Sequence, residues 1–140
     1  MTDTVPDNLD LKNIDLKNIE HPYADLIGLT ITSRGKGQCT CEIPFDKKLL
    51  NPNQVIHGGV IYSMADTSMG GAVHSALREG ELCATIEIKI TYLYPARGET
   101  LSGKATLIKK GSKVAMLESD IYSGDRLVAK ATGSFAIFQA

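Results

Sequence analysis

Residues 57–80 read HGGVIYSMADTSMGGAVHSALREG. Ile61, Ala65, Met69, Ala72 and Ala76 recur at three- and four-residue intervals, the spacing of one helix face, and Gly80 is a natural stop. Small residues crowd the segment, among them Gly58, Gly59, Ser63, Ser68, Gly70 and Gly71. Each glycine inside a helix costs roughly 1 kcal/mol against alanine, so Gly70-Gly71 predicts close packing against another element. Few charges appear before Arg78. A helix apolar nearly all round is a buried one.

Strand patterning surrounds this helix. Upstream, LIGLTITS (26–33) and QCTCEIPF (38–45) flank a Gly35-Lys36-Gly37 turn and read as a hairpin. Cys39 and Cys41 share one face of the second strand. Downstream, ATIEIKITYLYP (84–95) alternates, with Ile86, Ile88, Ile90 and Tyr92 on one face and Glu87, Lys89 and Thr91 on the other. The same alternation puts Thr85 on the polar face. ETLSGKATLIKK (99–110), KVAMLESDIYS (113–123) and RLVAKATGSFAIF (126–138) follow, joined by turns at Gly111-Ser112 and Gly124-Asp125. Short turns between long strands predict an antiparallel meander. The fold class is α+β: a long curved antiparallel sheet wrapped around one central helix, the hotdog architecture.

The chain has 140 residues, 43% hydrophobic and 22% charged, enough for one folded domain. Residues 1–24 read as a partly helical appendage with a short LKNID/LKNIE repeat, stopped by His21-Pro22, and 25–140 as the domain. A net charge of −1 argues against nucleic acid as the main partner. No apolar stretch approaches the length of a spanning helix, and MTDTVPDNLDLKNID lacks the basic start and apolar run of a signal peptide. Three Cys, an odd count, suggest free thiols in a reducing, cytoplasmic setting. A C-x-C pair without further ligands at metal spacing predicts no metal site.

Asp66 is the chemical anomaly. An ionised carboxylate in a buried helix costs several kcal/mol unless it is paired or hydrogen-bonded. Ser63, Thr67 or a strand lysine could satisfy it as a structural residue; a poised carboxylate is also what a general base or nucleophile needs. His57-Gly58-Gly59 opens the same helix, where free N–H groups and the dipole favour an oxygen gaining negative charge. Gly58 and Asp66 lie eight residues apart, about 12 Å along the axis and about 80° around it. One helix cannot bring both to one carbonyl. If both are catalytic, they meet across a two-fold interface, giving two sites per dimer.

NPNQVIHGGVIYSMADTSMGG (51–71) followed by TIEIKITYLYPA (85–96) resembles the PaaI-like branch of hotdog-fold acyl-CoA thioesterases. The resemblance implies hydrolysis of a thioester to free acid and CoA, with Asp66 activating water or attacking the carbonyl. It implies that the Gly58 N–H polarises that carbonyl while His57 helps shape the pocket, where the bare backbone of Gly58 and Gly59 lets substrate approach closely. Asn51 then orients substrate or water, and Thr85 holds the attacking water beside the carboxylate. The basic turn Lys110-Gly111-Ser112-Lys113, with Arg97 on weaker grounds, corresponds to contacts with the CoA phosphates; here Ser112 stands where the family has a basic residue, and a solvated turn is as good a reading. No cofactor is implied beyond the CoA of the substrate, and the expected assembly is a homotetramer of paired dimers. Two alternatives remain, an acyl-thioester dehydratase or hydratase and a non-catalytic acyl-CoA-binding module. No Pro follows His57, and the segment before the domain is short for an added DNA-binding unit.

Overall fold

The computed structural model describes residues 20–140; all but the last residue of the LKNID/LKNIE repeat, and most of the proposed appendage, lie outside them. Helix α1 (Pro22–Ile27) precedes β1 (Thr30–Gly35) and β2 (Gln38–Ile43), and a short 3-10 turn at Lys47–Leu49 leads to the main helix α2 (Gly58–His74). Four strands follow: β3 (Glu81–Tyr92), β4 (Leu101–Lys110), β5 (Val114–Ser123) and β6 (Arg126–Gln139). All six form one antiparallel sheet in the order β1-β2-β4-β5-β6-β3, curled around α2. This is the expected α+β hotdog architecture.

Pro22 starts a helix; the helix expected before it lies outside the described residues. The proline occupies the first helical turn, where its missing N–H costs nothing, and Gly28 closes α1 at φ 76°. Residues 26–29 therefore precede the first strand instead of belonging to it. Ala24 and Ile27 of α1 are buried in the common core, and Tyr23 Oη lies 2.7 Å from Ser63 Oγ of α2.

The meander holds for β4-β5-β6 only. β3 pairs with β6, and β2 with β4, so the chain crosses the sheet after β3. Helix α2 packs Met64, Ala65, Met69, Ala72 and Val73 against Cys39, Cys41, Leu101, Leu117 and Phe135, all buried. Close approach requires small partners. A Cβ on Gly103 would stand 2.8 Å from Met64 Cγ, and one on Gly71 would stand 2.6 Å from Cys39 Sγ. Inside this core Ser68 and Ser119, both fully buried, satisfy each other at 2.8 Å.

The sheet does not close. β1 and β3 are its two edges, and the helix strip bearing Asp66, Thr67, Gly70 and His74 is only half-buried. Helix α2 is thus not apolar all round, as its composition suggested; it leaves one polar strip in the gap between the edges.

Candidate active site

The gap is a groove of about 740 Å³. Ile31–Arg34 of β1 form one wall, Cys83–Thr85 of β3 the other, and Asp66, Thr67, Gly70, Gly71 and His74 the floor. Within it Thr85 Oγ1 donates a 2.8 Å hydrogen bond to Asp66 Oδ1. No Lys or Arg among the described residues forms an ion pair with Asp66.

Thr85 reaches the carboxylate because β3 is not regular. Thr85 pairs with Phe135 and Glu87 with Ser134, leaving Ile86 as an extra residue in a β-bulge. Strict alternation would have turned Thr85 outward with Glu87. The bulge advances the phase by one, so Thr85 shares the helix-facing side with Ile88 and Ile90, while Ile86 is 55% exposed.

The N-terminal end of α2 has different surroundings. His57 caps the helix, its Nδ1 accepting 2.8 Å from the Gly59 N–H, and Gly59 O accepts from Ser63 Oγ. Tyr92 Oη donates to Gly58 O at 2.7 Å. The Gly58 N–H has no acceptor among the described residues and borders a separate hollow of about 290 Å³ with Ile61, Tyr92 and Pro95. Asp66 and Gly58 of one chain therefore line different cavities, as their helical spacing requires.

The other predicted residues fall elsewhere. Asn51 Oδ1 accepts from the N–H groups of Asn53 (2.9 Å) and Val55 (3.3 Å), which folds the loop before His57. Lys110 Nζ pairs with the Glu81 carboxylate at 3.0 Å, both side chains largely covered. The Arg78 N–H and then Lys110 hold the Glu81 carboxyl below its usual range. Gly111, Ser112 and Lys113 form the β4–β5 turn, with Ser112 and Lys113 exposed. Arg97 lines a third hollow together with Arg126, Glu99 and Asp125.

Sequence reasoning missed Gly70 and His74 as groove residues. Both follow Asp66 at four-residue steps, the signal of a shared helix face. Burial, then the nearby Arg34 guanidinium, hold the His74 imidazole below its ordinary pKa, and its buried Nδ1 has no partner among the described residues.

The sequence pattern of the Thioesterase superfamily matches residues 53–130. The chain belongs to that superfamily. A Halobacterium salinarum protein described as an esterase is 31% identical over 132 residues, covering 86% of this chain and 87% of its own. YigI of Escherichia coli, a medium/long-chain acyl-CoA thioesterase, is 31% identical over 97 residues, 59% of this chain and 63% of that one. The Escherichia coli PaaI structure, from the phenylacetic acid degradation operon, superposes with a TM-score of 0.78 at 25% identity, covering 84% and 85% of the two chains. This superfamily member is a PaaI-like hotdog thioester hydrolase. No helix among its described residues is long and apolar enough to cross a membrane.

Proposed function

We propose that this thioesterase hydrolyses acyl-CoA, with Asp66 as base or nucleophile and Gly58 of a second copy as oxyanion donor. The observation that carries it is the Thr85–Asp66 hydrogen bond in the groove. Thr85 occupies Oδ1, which leaves Oδ2 to take a proton from water or to attack the carbonyl carbon. In the general-base form, water oxygen bonds to the thioester carbon and its proton passes to Asp66. The carbonyl becomes an oxyanion stabilised by the Gly58 N–H at a helix start. Collapse breaks the C–S bond, and the CoA thiolate takes the proton back from Asp66, leaving free acid and CoA.

A second copy is needed because Asp66 and Gly58 of one chain line different cavities. The free edge of β3, 12 residues long, offers the seam on which a two-fold partner would pair. A tetramer would add contacts on the outer sheet face, where Val114, Met116 and Phe138 are each 44% exposed. The CoA phosphates would meet the exposed Ser112-Lys113 turn rather than Lys110. The reaction so written needs no group beyond substrate and water, and the free thiols of Cys39, Cys41 and Cys83 fit a cytoplasmic setting.

Asp66→Asn is expected to lower acyl-CoA-dependent thiol release by about 10²–10⁴-fold, and Thr85→Val by about tenfold. Both should keep the thermal midpoint of the parent. An Asp66→Asn protein that turns over acyl-CoA at the parental rate would sink the assignment.

A further inference from the structure

The groove continues past the Asp66–Thr85 pair toward the C-terminal end of α2, and its volume of about 740 Å³ lies in the usual range for a small-molecule site. Gly70 lines its floor one turn beyond Asp66, about 6 Å along the helix axis. Other glycines around α2 are imposed by contact: a Cβ would meet Cys39 Sγ at 2.6 Å from Gly71, Met64 Cγ at 2.8 Å from Gly103, and Met69 Cε at 3.0 Å from Gly133. Gly70 is not. Its Cβ would meet only Phe135 Cε1, at 3.8 Å, an ordinary van der Waals distance.

Helix-interior glycine weakens a helix, and no contact among the described residues of the chain demands it here. What its bare backbone preserves is open space in the groove. The walls carry Ile31, Thr32, Ser33 and Arg34 on the β1 side and Cys83, Ala84 and Phe135 on the other, with the Arg34 guanidinium near His74. His74 stands farther along, about 12 Å beyond the level of Asp66. We infer that this stretch is the acyl channel and that the missing side chain at Gly70 sets the chain length admitted. Its ligand is the acyl part of a medium-length, straight-chain thioester, which a side chain at position 70 would stop about one turn from the attacked carbonyl.

The inference rests on Asp66 standing at that carbonyl, so the test separates the two claims. Thiol release is measured from butyryl-CoA and octanoyl-CoA for the parent, Gly70→Ala, Gly70→Val and Asp66→Asn. The parent is expected to prefer octanoyl-CoA, and Gly70→Val to lower the octanoyl-to-butyryl ratio of kcat/KM by about tenfold or more, with Gly70→Ala between. Gly70→Ala should also melt about 2–4 °C higher, which shows that it folds. Loss of both activities in Asp66→Asn together with an unchanged ratio in the Gly70 variants overturns the channel alone. A fully active Asp66→Asn overturns the reading beneath it.

Discussion

A methyl group added at Gly71 would sit 2.6 Å from Cys39 Sγ and 3.3 Å from Cys39 Cβ. Both residues are buried, so neither can yield without moving the helix away from β2. Gly71→Ala is therefore expected to destabilise by about 1–3 kcal/mol, read as a lower midpoint in urea, although alanine is the better helix former. Combining it with Cys39→Ala should cost less than the sum of the two single changes, because the second removes the sulfur that the first strikes. Cys39 and Cys41 are accordingly packing residues. Burial, and then the neighbouring Cys39, push the Cys41 thiol up to about 12, and burial raises Cys39 as well. Adjacent glycines on one helix thus answer to different demands, Gly71 to the core and Gly70 to the groove.

Strand β3 shows where sequence patterning stops being informative. Its helix-facing Ile88 and Ile90 were legible from alternation, as were the glycine turn at Lys36-Gly37 and the long strands β4, β5 and β6, because each pattern is local. Thr85 was not, since a bulge depends on how β6 is met: Thr85 opposes Phe135 and Glu87 opposes Ser134, with Ile86 left over. The same limit hid the crossover that sets β3 beside β6. The carboxylate and its small neighbours were readable as residue types, whereas the groove exists only because β1 and β3, remote in sequence, both border α2. Deleting Ile86 supplies a test. With the extra residue gone, Thr85 and Glu87 become ordinary alternating neighbours and Thr85 stays on the helix-facing side. Thiol release should then persist within severalfold of the parent, in contrast to Thr85→Val. A deletion as inactive as Thr85→Val would mean that the bulge does more than set the phase of the strand.

An unclosed sheet leaves one chain with half of each proposed site: Asp66 and Thr85 in the groove, Gly58 at the hollow beside Tyr92. This division can be tested by mixing defects. Gly58 is the first residue of α2, a position that accepts proline, and the preceding His57 already has the extended ψ of 133° that proline requires. Gly58→Pro should remove the N–H and keep the helix, provided Tyr92 yields slightly, since a Cβ there would lie 3.2 Å from its Oη. Gly58→Pro and Asp66→Asn proteins should each be inactive alone. Co-produced in equal amounts, they would form mixed dimers in about half of the population, each with one site built from an intact Asp66 and an intact Gly58 on opposite chains. Activity should recover to about one quarter of the parental value, because the second site of every mixed dimer carries both defects. If Asp66 and Gly58 instead served the same site from one chain, no combination of these two subunits could contain an intact site, and the mixture would stay as inactive as its components.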